Sequence, residues 1–137
     1  MVKTEIVRRR LDQLSEYLEI LNHYRAYSLE EFLADPERYG SAERFLQLAV
    51  EVILDVGNHI VADEQLGRVE KSRDVAALFL ANGLIDDQLA DKWLRMIGFR
   101  NILVHEYAEL DRRIVYQVLC EQLDDLSALK KVFAGFL

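Results

Sequence analysis

The stretch SAERFLQLAVEVILDVGNHIVA, residues 41–62, decides how this chain folds. It contains no proline, and its apolar residues neither alternate strictly nor line up in one narrow stripe. On a helix turning about 100° per residue, Phe45, Leu46, Leu48, Ala49, Val50, Val52, Ile53, Leu54, Val56, Ile60 and Val61 cover most of the circumference. A helix this apolar is central to its fold or buried on two sides. One thin polar strip interrupts it, made by Arg44, Gln47, Glu51, Asp55 and Asn58 at three- and four-residue steps. The pattern predicts a long helix from near Gly40–Ser41 to about Ala62.

Working outward, amphipathic partners appear on both sides. Leu11, Leu14, Leu18 and Leu21 repeat at helical spacing and predict a helix from about Lys3 to Tyr24. Ser28 and Glu31 have capping-box spacing, so residues 28–39 carry a short helical stretch that Asp35-Pro36 interrupts. After a polar linker, residues 63–71, a short helix starts near Ser72 and ends at Asn82-Gly83, a C-terminal cap signal. Asp86 or Asp87 can cap a helix from Gln88 to about His105, and Asp111 can cap a last one reaching the C-terminus. The expected architecture is all-α, an antiparallel bundle of about five helices forming one domain over residues 1–137.

Composition narrows the function. The 137 residues are 51% hydrophobic and 30% charged, as expected of a chain that buries a core without metals or disulfides. The single cysteine, Cys120, excludes a disulfide framework and a cysteine-based zinc site, and its place in an apolar helical repeat predicts an inert core thiol. There is no run of about 18 apolar residues and no signal core behind the charged start, which points to a cytoplasmic protein with no membrane association. A net charge of −7 argues against broad, non-specific nucleic-acid binding. The basic clusters Arg8–Arg10, Arg112–Arg113 and Lys130–Lys131 read as solvated helix surface. Asp55 and His59 have metal-pair spacing, but two ligands are too few for a site, and neither a complete H-E-x-x-H nor a phosphate-binding glycine loop is present. No metal or other cofactor is expected.

Chemistry concentrates in the penultimate predicted helix. Leu89, Trp93, Met96, Ile97, Leu103 and Val104 form its expected core stripe, with Arg100 in the middle. A guanidinium among apolar residues is costly unless it is paired or reaches an anion. Asn101 and His105 share the adjoining shoulder, with Gly98 and Ile102 beyond them, and Tyr107 follows two turns after Arg100. An exposed isoleucine beside a glycine predicts a second packing partner, and a homodimer through this shoulder would bring two copies of Arg100 and His105 together.

The string Arg100-Asn-Ile-Leu-Val-His105-Glu-Tyr107 has the form R-x4-H-x-Y. Here the chain resembles the HEPN superfamily, and within it the HepT-like toxins, in the motif, in the asparagine after the arginine, in the tyrosine two residues past the histidine and in helix order. The resemblance implies a metal-independent endoribonuclease toxin, with tRNA and mRNA both open as targets, partnered by a minimal nucleotidyltransferase antitoxin. It also implies that the antitoxin silences it by attaching AMP to Tyr107. Histidine, titrating near neutrality, suits the general acid or base, assigned to His105. Arginine's planar fork suits phosphate, so Arg100 is the phosphate clamp and Asn101 orients histidine or substrate. Arg44, Glu51, Asp55 and Asn58 are read as a substrate groove or as support for the motif. The alternative function is a non-catalytic helical partner that binds a nucleotide or a nucleotidyltransferase.

Overall fold

The computed structural model describes residues 4–105 and 110–137. Those residues form seven helices: α1 (Thr4–Arg25), α2 (Leu29–Ala34), α3 (Pro36–Asp63), α4 (Ser72–Ala81), α5 (Asp87–His105), α6 (Arg112–Glu121) and α7 (Leu123–Ala134). No strand occurs among the described residues.

The element ends follow the local chemistry. Ser28 Oγ accepts the Glu31 N–H at 3.1 Å while the Glu31 carboxylate accepts the Ser28 N–H at 3.0 Å, closing the capping box of α2. Asp86 Oδ1 accepts the Leu89 N–H at 2.8 Å, and Asp111 Oδ1 accepts the Arg113 N–H at 2.9 Å. At the end of α4, Gly83 adopts φ +70°, and the N–H groups of Gly83 and Leu84 return to the carbonyls of Leu80 and Phe79. That 5→2 and 6→1 pairing is a Schellman cap, and glycine reaches the left-handed region at no steric cost.

Two boundaries differ from the sequence expectation. Asp35-Pro36 ends α2 but also starts the central helix, four residues before Gly40. The Asp35 carboxylate accepts the Glu37 N–H at 2.9 Å, and Pro36 occupies the first turn, where its missing N–H costs nothing. The expected single C-terminal helix bends at Gln122 (φ −116°, ψ −1°) into α6 and α7. The bend lets α6 cover α1, α2 and α3 while α7 lies against α1, α3 and α5. Just before it, Cys120 is exposed rather than in the core, because Val115, Val118 and Leu119 already fill the inward face of α6.

α3 packs against all six other helices. Its length and composition would also suit a membrane span, but its buried side chains are covered by these neighbours. The tightest approach is at Gly57, where an added Cβ would stand 2.8 Å from Val75 Cγ1 and 3.2 Å from Trp93 Cζ2. Trp93 is fully buried and meets Phe79 and Phe133 edge-on, with ring centroids 5.2 and 5.7 Å away. Because Gly57 meets Trp93 while Glu51, earlier in α3, meets Arg100, later in α5, the two helices run antiparallel.

Gly57→Ala therefore overpacks a rigid ring and a buried methyl, which outweighs the roughly 1 kcal/mol helix-propensity gain. A net loss of about 1–2 kcal/mol is expected, read as a Tm lower by several degrees. Gly40→Ala, which meets open space on the same helix, serves as the parallel control and is expected to hold or raise Tm.

Candidate active site on helix α5

α5 buries Ala90, Trp93, Met96, Ile97, Phe99 and Leu103. Trp93, Met96, Ile97 and Leu103 lie where the pattern places them. Leu89 is only half-buried, Val104 is exposed, and Phe99 is buried in its stead. In the last two turns the covered side of α5 lies toward Phe99 and Leu103 and leaves Val104 outside it.

Arg100 sits on the rim of this stripe with its side chain 27% exposed. One guanidinium nitrogen, Nη2, stands 3.4 Å from Glu51 Oε1 of α3, and Nη1 donates to Asn101 Oδ1 at 3.2 Å. Glu51 Oε1 also accepts from Gln47 Nε2 at 3.0 Å, which steadies the carboxylate one turn along its own helix. The Nε–H of Arg100, shielded from solvent, faces no acceptor among the described residues. The guanidinium is thus held from one side, while the second N–H on each of Nη1 and Nη2, on a side chain 27% exposed, is left over from these two bonds and suited to an incoming anion.

Asn101 and His105 are both exposed on the neighbouring shoulder, His105 as the last residue of α5. Leu94 and Ile102, 42% and 39% exposed, stand on the same side with Gly98 between them. Tyr107 lies outside the described residues.

Of the polar strip on α3, Glu51 is the residue that meets the motif. Arg44 is exposed and lines a cavity of about 210 Å³ with Gly40, Glu43, Gln47 and Leu103. Asp55 instead accepts from Arg10 Nε of α1 at 2.9 Å, with His59 Nε2 3.9 Å away, and Asn58 donates to the Leu54 carbonyl of its own helix. Asp55 and Asn58 are therefore not brought to Arg100.

Sequence reasoning missed a second ion pair. Glu43, 3% exposed, holds Arg112 with Oε2 3.3 Å from Nε, and the Arg112 guanidinium lies over the Tyr39 ring at 4.3 Å. Arg112 is thus a packed, stacked cation and not a member of a solvated cluster. The available signal was a carboxylate at the head of the apolar series Glu43, Leu46, Val50, Ile53. Buried charge at such a position requires a cation from another element.

An all-α bundle that presents an arginine–asparagine pair and a histidine on one helix, R-N-x3-H, is similar to the proteins of the HEPN class. More specifically, residues 14–133 match the ribonuclease HepT-like family model, and the chain belongs to that family. It is similar to the mRNA nuclease HepT of Shewanella oneidensis, with 42% identity over 80 residues, a stretch covering 58% of this chain and 60% of that one. It is also similar to the tRNA nuclease HepT of Aphanizomenon flos-aquae, with 26% identity over 118 residues, 86% of this chain and 80% of the other. Among solved structures, the tri-AMPylated Shewanella oneidensis HEPN toxin in complex with an MNT antitoxin superposes with a TM-score of 0.87 at 30% identity, over 95% of this chain and 97% of that one. A toxin–antitoxin structure with AMP-PNP gives a TM-score of 0.84 at 30% identity, covering 93% and 97%.

The Arg100–Glu51 pair is partly exposed, 27% and 33%, so solvent weakens its attraction. Glu51→Ala is expected to lower stability by no more than about 1 kcal/mol in denaturant titration. A loss above roughly 3 kcal/mol would mark a desolvated structural pair instead.

Proposed function

We propose that this protein is the RNA-cleaving toxin of a toxin–antitoxin pair, that it works without a metal, and that Arg100 and His105 carry the reaction. The observation that carries this reading is Arg100 itself. It is oriented by Glu51 and Asn101, keeps a second N–H on each terminal nitrogen beyond those bonds, and stands on the helix whose exposed shoulder carries His105. The names of the relatives add the substrate class.

The chemistry closes with these groups. A base takes the proton of a 2′-hydroxyl, the oxygen attacks the adjacent phosphorus, the P–O5′ bond breaks, and an acid returns a proton to the leaving oxygen. His105 supplies one of these proton transfers. Arg100 neutralises the charge that builds on the phosphate, and Asn101 aligns the guanidinium. One motif holds one histidine, so a two-fold dimer through Leu94, Gly98 and Ile102 would supply the second. The apolar exposure of that shoulder supports such an isologous contact.

Tyr107 is the proposed regulatory acceptor, for a cognate nucleotidyltransferase. Its phenol oxygen would attack the α-phosphorus of ATP, release pyrophosphate, and leave an AMP ester two residues from His105. The added anion would compete with substrate phosphate for Arg100.

Purified protein is expected to cut bulk RNA in EDTA, with His105→Ala lowering the rate at least about 100-fold and Arg100→Ala about 100- to 1000-fold. Absence of cutting by unmodified, dimeric wild type would favour the rival reading, a non-catalytic nucleotidyltransferase-binding partner. For the tyrosine, Tyr107→Phe is expected to keep RNA cutting but to resist silencing when incubated with the cognate enzyme and ATP. Retained silencing, with AMP still incorporated on the intact protein by mass spectrometry, would move the acceptor elsewhere.

A further inference from the structure

We propose that the groove between the start of α4 and the Asn101 side of α5 is the RNA path leading away from the cleavage centre, with Lys71 and Arg73 as its phosphate contacts. This rests on the ribonuclease reading above and extends it to how the strand is held.

The groove, about 330 Å³, is lined by Lys71, Ser72, Arg73, Ile97 and Asn101. Asn101 is the motif residue that touches Arg100, so the groove opens directly onto the motif. Ile97 and Asn101 are one turn apart on α5, and the next turn on that side carries His105. A strand passing over His105 and Asn101 therefore meets the α4 segment next.

The two cations are exposed, and neither has an ion-pair partner among the described residues. Their acidic neighbours are already engaged. Glu70 pairs with Arg68 at 3.4 Å, and Asp74 Oδ2 accepts the N–H groups of Glu70 and Lys71 at 3.0 and 2.9 Å. Those two bonds, first, and then the nearby charges of Arg73 and Lys71 hold the Asp74 carboxyl below its ordinary range. The bonds fix the backbone that carries Lys71, and neither cation comes within ion-pair distance of the carboxylate. Nor do the cations serve α4, since positive charge at a helix start opposes the macrodipole. In a chain of net charge −7, two unpaired cations on a preformed rim next to the motif are suited to an anionic strand. Ile97 offers the groove an apolar floor, which suits the edge of a base or sugar.

The test measures binding of a fluorescein-labelled single-stranded RNA 12-mer by anisotropy across a salt series, in the His105→Ala background so that the probe survives. Adding Lys71→Ala and Arg73→Ala is expected to weaken binding about tenfold near 0.1 M salt. The slope of log affinity against log salt should shrink by roughly 1.4, the value for two lost phosphate contacts on a single strand. Arg8→Ala with Arg9→Ala, removing two exposed cations from α1, is expected to leave affinity and slope near the parent values. Unchanged affinity and slope in the groove variant overturn the proposal, as does an equal loss in the α1 control, which would make the effect one of overall charge. If wild type cuts RNA while the groove variant binds normally, this inference alone fails. If wild type neither binds nor cuts RNA, the ribonuclease reading fails and takes the groove with it.

Discussion

The contact between Gly57 and the ring of Trp93 sets the register on which the proposed site depends. The missing side chain lets α5 settle deeply against α3, with Val75 of α4 completing the pocket around the indole. Once Trp93 is seated there, the antiparallel course of the helices places Arg100, two turns later, opposite Glu51. A slip of one turn along α3 would offer Arg100 either Gln47, which is neutral, or Asp55, which Arg10 already holds. Packing in the apolar core thus decides which carboxylate meets the guanidinium.

That arrangement also shows how an acidic protein presents a cationic surface. The net charge of −7 is spread over many helix faces, and four of the ten exposed cations among the described residues (Arg9, Arg68, Lys92 and Arg95) sit beside carboxylates. Three of the other six, Arg44, Lys71 and Arg73, line the two clefts that border α5 at Leu103 and at Ile97 and Asn101. Local charge rather than the total governs what a cleft attracts, because screening over about 8–10 Å mutes more distant carboxylates.

Much of the architecture was legible because local chemistry writes it directly. Ser28 with Glu31, Asp86, Asp111 and the Asn82-Gly83 pair each satisfy backbone groups within a few residues, so their function does not depend on the rest of the fold. The apolar wrap of residues 41–62 likewise announced a central helix. The bend at Gln122 was not legible, since no glycine or proline marks it and tertiary packing alone divides α6 from α7. Cys120 and Val104 were misplaced for a related reason: periodicity defines a stripe, but which edge of it is covered depends on the neighbouring helices. In the candidate site, helical spacing put Arg100, Asn101 and His105 on adjoining faces of one helix, but it was the resemblance of their string to the HEPN motif that singled them out. The partnership of Arg100 with Glu51, and the meeting of Lys71 and Arg73 with Asn101, join residues about 30 to 50 positions apart in sequence. Such contacts follow from helix register and cannot be read from local pattern.

The central claim is that a 2′-hydroxyl attacks a phosphate clamped by Arg100. The most direct test is to identify the ends left on a defined RNA oligonucleotide, and to repeat the digestion with a single 2′-deoxy substitution at the cut position. The account predicts a 2′,3′-cyclic phosphate and a 5′-hydroxyl from the first, and no cutting at that position in the second. A 5′-phosphate product, or undiminished cutting of the deoxy-substituted strand, would contradict it, because water rather than the neighbouring hydroxyl would then be the nucleophile.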